Sequence, residues 1–108
     1  MNSAELLGHY AEMLRLAQQM LELARQSEWD RLVEFEQKRS AIAEGLMKQE
    51  ENSVWSQAEQ EKKGDLIRSI LEMDDEIKSL TEAWKGELKE ILDSIGAEKK
   101  LHKAYESP

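Results

Sequence analysis

Residues 65–96 read DLIRSILEMDDEIKSLTEAWKGELKEILDSIG, and the apolar positions in that run decide the fold class. Leu66, Ile70, Met73, Ile77, Leu80, Trp84, Leu88, Ile91 and Ile95 recur mostly at alternating steps of four and three. This is the spacing of a helix that lies along other helices. Asp75, Glu76, Lys78, Glu82, Lys85, Lys89 and Glu90 occupy other positions, so the seam is one-sided. A helix of this length spans about 45 Å at 1.5 Å per residue, and it cannot bury its seam alone. The rest of the chain is read as what packs against it.

The whole composition agrees. One proline and five glycines in 108 residues, with 40% hydrophobic and 35% charged residues, fit a single all-α domain over 1–108. A formal net charge of −8 argues against direct binding of nucleic acid, which relies on clustered Lys and Arg to neutralise phosphates. Protein partners suit an acidic chain better. The absence of cysteine excludes disulfides and thiolate metal sites and fits a cytoplasmic location. The opening MNSAELLGHYAEMLRL carries Glu5 and Glu12 and no basic stretch before an apolar core, so it is not a signal peptide. No apolar run is long enough to insert into a membrane.

Upstream, residues 3–26 predict a first helix with Ser3 as its cap and Leu6, Tyr10, Met13, Ala17, Met20 and Ala24 as its seam. Leu7, Leu14 and Leu21 widen the apolar arc on one side, and Leu16 and Leu23 widen it on the other. Two readings fit: a helix between two neighbours in an antiparallel three-helix bundle, or a shoulder left for a partner. Ser27-Glu28-Trp29-Asp30 reads as a serine-capped start of a second helix after a tight turn. That helix spans 28–48, with Trp29, Leu32, Val33, Ala43, Leu46 and Met47 turned inward. Phe35, Ile42 and Leu46 fall toward one edge of this face, with Arg39 nearby and Glu36 and Ser40 in its middle. The edge is either a helix end leaving the core, with Glu36 and Arg39 paired on the surface, or one wall of a groove.

Residues 48–64 lose the periodicity. Ser56 and Glu59 form a second capping-box pattern, so the long helix starts at Gln57 or at Asp65. Trp55 either folds back onto the end of the bundle, the reading its isolation favours, or stands as an exposed contact. Gly96 reads as the residue that ends the long helix at 95, leaving a short basic fourth helix over about 97–105.

No catalytic chemistry is visible. His9 and His102 each follow a glutamate by four residues, a common surface pairing, and no Glu-x-x-His pair of a di-iron bundle exists. Asp74-Asp75-Glu76 lacks EF-hand spacing. There is no phosphate loop, nucleophile elbow or cysteine nucleophile. The chain is therefore read as a non-enzyme without cofactor or metal.

The order of several short motifs carries a family resemblance. Leu21-Glu22-Leu23-Ala24, then Glu28-Trp29-Asp30 with Leu32 and Glu36, then Ile70-Leu71 to Asp74, Ile77, Leu80 and Glu87-Leu88, and finally Lys100-Leu101 with Ala104-Tyr105, resemble the flagellar export chaperone FliT family. The likeness covers nearly the whole chain outside 48–64. It implies a cytoplasmic chaperone with three antiparallel helices and a short fourth helix over its binding surface. It further implies binding of the C-terminal region of the filament cap protein FliD before type III export, contacts with the export ATPase and export gate, and in enteric bacteria with the flagellar master regulator. The chain ends three residues after Tyr105, so transcriptional control is the least supported of these roles.

The residues suggest how such a protein works. A terminal helix held by Leu101, Ala104 and Tyr105 buries little area and is detachable, since such side chains contribute only a few kcal/mol at about 25 cal/mol per Å². An amphipathic client helix can compete for the groove it covers. Phe35, Ile42, Leu46, Ile67 and Leu71 are the expected groove, and Tyr105 is either its plug or a core residue that ties down the C-terminus. The competing class is a coiled-coil adaptor that uses its long seam to form a homodimer without a secreted client.

Overall fold

The computed structural model describes residues 2–50 and 53–106, with side chains described as far as Gly96. Among these residues there are three helices and no strand: α1 (Ser3–Arg25), α2 (Trp29–Glu50) and α3 (Gln57–Glu106). The chain divides into two compact units, Met1–Lys78 and Ser79–Pro108. No helix of the described residues is long and apolar enough to cross a membrane.

In the first unit, the ends of the helices are fixed by local hydrogen bonds. Asn2, not Ser3, caps α1, its side chain accepting the Glu5 N–H at 2.8 Å. Ser3 is already helical, and its hydroxyl donates to the Glu59 carboxylate on α3. At the other end, the Ser27 N–H reaches the Ala24 carbonyl at 3.1 Å and the Glu28 N–H reaches Leu23 at 2.9 Å. This is the paired bonding that closes a helix around a left-handed residue, and Ser27 has φ 59°. Ser27 therefore ends α1 rather than capping α2, whose first turn is closed by the Leu32 N–H bonding to the Glu28 carbonyl at 3.0 Å. The start of α3 matches the capping box: the Glu59 N–H donates to Ser56 Oγ at 3.2 Å and the Ser56 N–H to Glu59 Oε1 at 3.1 Å. The helix starts at Gln57, not at Asp65.

The core is built around α1. Leu6, Leu16, Ala17, Met20, Leu21, Leu23 and Ala24 are buried, together with Leu32 and Leu46 of α2 and Ile70 and Ile77 of α3. Both flanks of the wide apolar arc contribute, Leu21 on one side and Leu16 and Leu23 on the other, so the arc serves two neighbours. Cross-links set the directions. Ser3 meets Glu59 and Arg25 meets Glu76 at 2.8 Å, so α1 and this part of α3 run the same way. Arg39 meets Asp74 and Glu50 meets Lys63, so α2 runs opposite to both. On α2 the inward face is narrower than expected. Leu32 and Leu46 are buried, but Val33 and Met47 are 55% and 73% exposed. Each lies one residue, or 100° of helical turn, past a buried leucine, enough to leave the face.

In the second unit the helix passes Gly96 without ending. No glycine has positive φ, so the left-handed cap is not adopted, and α3 is one helix to Glu106. Glycine inside a helix costs about 1 kcal/mol relative to alanine, which weakens a helix without obliging it to stop. The separate fourth helix over 97–105 is thus replaced by a continuation of α3. Leu101, Ala104 and Tyr105 fall on this continuation, and their side chains lie outside the described residues. The seam also changes character along its length. Ile70 and Ile77 are buried and Leu66, Met73, Leu80 and Trp84 half-buried, whereas Leu88, Ile91, Leu92 and Ile95 are exposed.

Candidate functional site: an apolar groove between α2 and α3

The antiparallel arrangement of α2 and α3 leaves a groove whose floor is α1. One hollow in it, of about 350 Å³, is lined by Tyr10 and Met13 of α1, Ser40 and Ala43 of α2, and Ile67, Ile70 and Leu71 of α3. A second, of about 290 Å³, is lined by Met20 of α1, Leu32 and Val33 of α2, and Ile77 and Lys78 of α3. Glu36, Arg39 and Asp74 line both. Ile70, Ile77 and Met20 are buried beneath, while Leu71, like Val33, is 55% exposed at the rim. The surface is mostly hydrocarbon with a charged crossing at its middle.

That crossing is a clasp. Arg39 donates through Nη1 to Asp74 at 2.5 Å and through Nη2 to Glu36 at 3.0 Å, with its own side chain only 15% exposed. Burial by itself lowers the guanidinium pKa, but the hydrogen bonds and charges of Asp74 and Glu36 outweigh it and hold the group above its ordinary value. Arg39 is charged at every physiological pH, and the clasp is an electrostatic fixture. Ser40 adds a bond from its hydroxyl to Glu36 at 3.2 Å.

One end of the groove is closed by a second cluster. Lys63 Nζ lies 2.8 Å from Glu50, 4.9 Å from the Trp55 ring centre and 5.6 Å from that of Tyr10. Trp55 is half-buried there, folded back on the unit as its isolated apolar character suggested. The Tyr10 hydroxyl donates to Glu50 at 2.7 Å. Burial first, then the Glu50 hydrogen bond and charge, push the Tyr10 phenol above its usual range.

The five residues expected to form one groove fall into separate places. Ile67 and Leu71 share the larger hollow of the α2/α3 groove. Phe35 and Ile42 share a different hollow, with Leu16 of α1 and a rim of Glu12, Arg15 and Lys38. Ile42 continues into a fourth hollow beside His9, where Leu46 contributes from a buried position, 4% exposed. Met13, Met20, Val33 and Asp74 also line the groove, although the sequence reading assigned none of them to a binding surface. Met13 and Met20 carried a signal, standing one heptad apart in the α1 seam. The pairing of Asp74 with Arg39 carried none, because the two lie 35 positions apart.

Comparison with known proteins adds an independent line. The family model described as "Flagellar protein FliT" matches residues 7–107. Among curated relatives, the flagellar protein FliT of Photorhabdus laumondii is 30% identical over 104 residues, covering 96% of this chain and 83% of its own. That of Yersinia pseudotuberculosis is 32% identical over 100 residues, covering 93% and 83%. That of Cronobacter sakazakii is 29% identical over 102 residues, covering 92% and 82%.

Proposed function

The chain belongs to the FliT family of flagellar proteins, and on that footing we propose that it is a cytoplasmic type III export chaperone that holds the C-terminal region of the filament cap protein FliD. The observation that carries this reading is the groove between α2 and α3, apolar along its floor and left with Leu71 and Val33 exposed at its rim. A helical client supplies what the groove lacks. Its apolar face covers these side chains, and each large residue buried contributes about 1.5–3 kcal/mol before ordering costs. The antiparallel three-helix body keeps the groove open, because α1 fills the floor and the clasp fixes the spacing of the walls.

Ile67 and Leu71 are the first contacts in this scheme. Phe35 and Ile42 border the α1/α2 hollows and provide a second strip for a client longer than one helix, with Leu46 buried beneath it. Regulation of access by Leu101, Ala104 and Tyr105 requires α3 to break between the groove and these residues, so that they fold back and compete with the client; the export ATPase, export gate and master regulator are further partners implied by family. Titrating the cap-protein segment into the full chain tests the scheme, with light scattering to read stoichiometry. A one-to-one complex, tightened by Tyr105→Ala, is expected. No binding at any accessible concentration refutes the chaperone role, and unchanged affinity in Tyr105→Ala removes the regulatory tail.

The exposed stripe of Leu88, Ile91, Leu92 and Ile95 favours a second reading, a homodimer built on α3 without a secreted client. A stable dimer that fails to take up the cap segment is its signature.

A further inference from the structure

The two hollows of the groove repeat one another at a fixed interval. Met13 and Met20 on α1, Val33 and Ser40 on α2, and Ile70 and Ile77 on α3 are each seven residues apart, one of every pair in each hollow. Seven residues of α-helix advance about 10.5 Å, so a helix laid along the groove places side chains i and i+7 in successive hollows. Between them it meets the clasp, where two carboxylates face one guanidinium. Arg39 bonds one oxygen of each, Asp74 Oδ1 and Glu36 Oε2, and Ser40 bonds Glu36 Oε1, leaving a formal surplus of one negative charge at the crossing, within a chain whose net charge is −8.

Resting on the client-holding reading above, we propose that the groove selects an amphipathic helix with large apolar residues at i and i+7 and a lysine or arginine at i+3 or i+4. The cation sits over Glu36 and Asp74. A carboxylate at that position meets two like charges beside a guanidinium already engaged, which disfavours it. Lys78 lines only the second hollow, so the preference for a cation is confined to the middle of the client and does not extend to that end.

Fluorescence anisotropy with the full chain and labelled synthetic helices tests the pattern. The reference peptide has Leu at i and i+7 and Lys at i+4; one variant has Glu at i+4, another moves the second Leu to i+5. Each variant should bind about tenfold or more weakly. Glu36→Gln, at a half-exposed position, should shrink the Lys-over-Glu preference while keeping the spacing preference, and circular dichroism confirms that it folds. Equal binding of the three peptides overturns the proposal. The native cap segment failing to bind, while the peptides keep both preferences, overturns the chaperone reading and supports this one. Native segment binding that does not compete with the reference peptide supports the chaperone reading and overturns this one.

Discussion

Tyr10 of α1 donates its hydroxyl to Glu50 of α2 at 2.7 Å across forty positions of sequence, and Lys63 of α3 completes the contact at 2.8 Å. One carboxylate therefore ties three helices at the closed end of the groove. Burial raises the Glu50 pKa, but the bonds from Lys63 and Tyr10 prevail and leave it below its ordinary value of 4.5. A group depressed in the folded state contributes stability that is complete above its unfolded value and is lost as pH falls through the folded one. Urea midpoints should therefore decline as pH drops from about 4.5 downward. In Lys63→Met, carbon NMR of Glu50 should show its titration shifted upward. Tyr10→Phe should cost about 1 kcal/mol, the usual net contribution of one such bond.

Ser27 provides a test in the opposite direction. Its φ of 59° is left-handed, a region that costs an L-residue about 1–2 kcal/mol and glycine almost nothing. Ser27→Gly should raise the thermal midpoint by about 5 °C for a chain of this size, and Ser27→Val should lower it. No gain in the glycine variant would contradict the observed turn.

Leu6 has no exposed surface and sits one turn into α1, beside the Ser3–Glu59 contact. Leu6→Ala should destabilise by about 3 kcal/mol, within the range for a fully buried leucine. Ser56→Ala removes half of the capping box and should cost about 1 kcal/mol. Its signature is faster amide exchange confined to the first turns of α3.

How much of this was legible in the sequence depends on the range over which a signal acts. The seam of residues 65–96 identifies a helix because periodicity is local, and Ser56 with Glu59 offers one of two starts for it, the one adopted, because capping is local too. Periodicity cannot say whether a partner is present. Ile70 and Ile77 are buried while Leu88, Ile91 and Ile95 on the same seam are exposed. Gly96 permits a helix end but does not impose one. Serine is a common N-cap and an uncommon left-handed residue, so Ser27 reads as the cap of α2 although it ends α1. The groove itself was half legible. Ile67 and Leu71 lie in it, but its midpoint depends on Arg39 meeting Asp74, a pairing between helices that no short spacing encodes. Phe35 and Ile42 share the apolar character of the groove but border another hollow, because a residue's polarity does not reveal which neighbour its helix face meets.

The most direct measurement is the affinity of the cap-protein C-terminal segment for Leu71→Ser, compared with Met47→Ser as a control. Leu71 lines the groove, whereas Met47 is exposed on α2; both are accessible enough for the variants to fold. Binding should weaken about tenfold or more in Leu71→Ser, as expected for an apolar contact buried by the client, and stay unchanged in Met47→Ser. Equal affinity of Leu71→Ser and the unaltered chain would contradict a client held in the groove between α2 and α3.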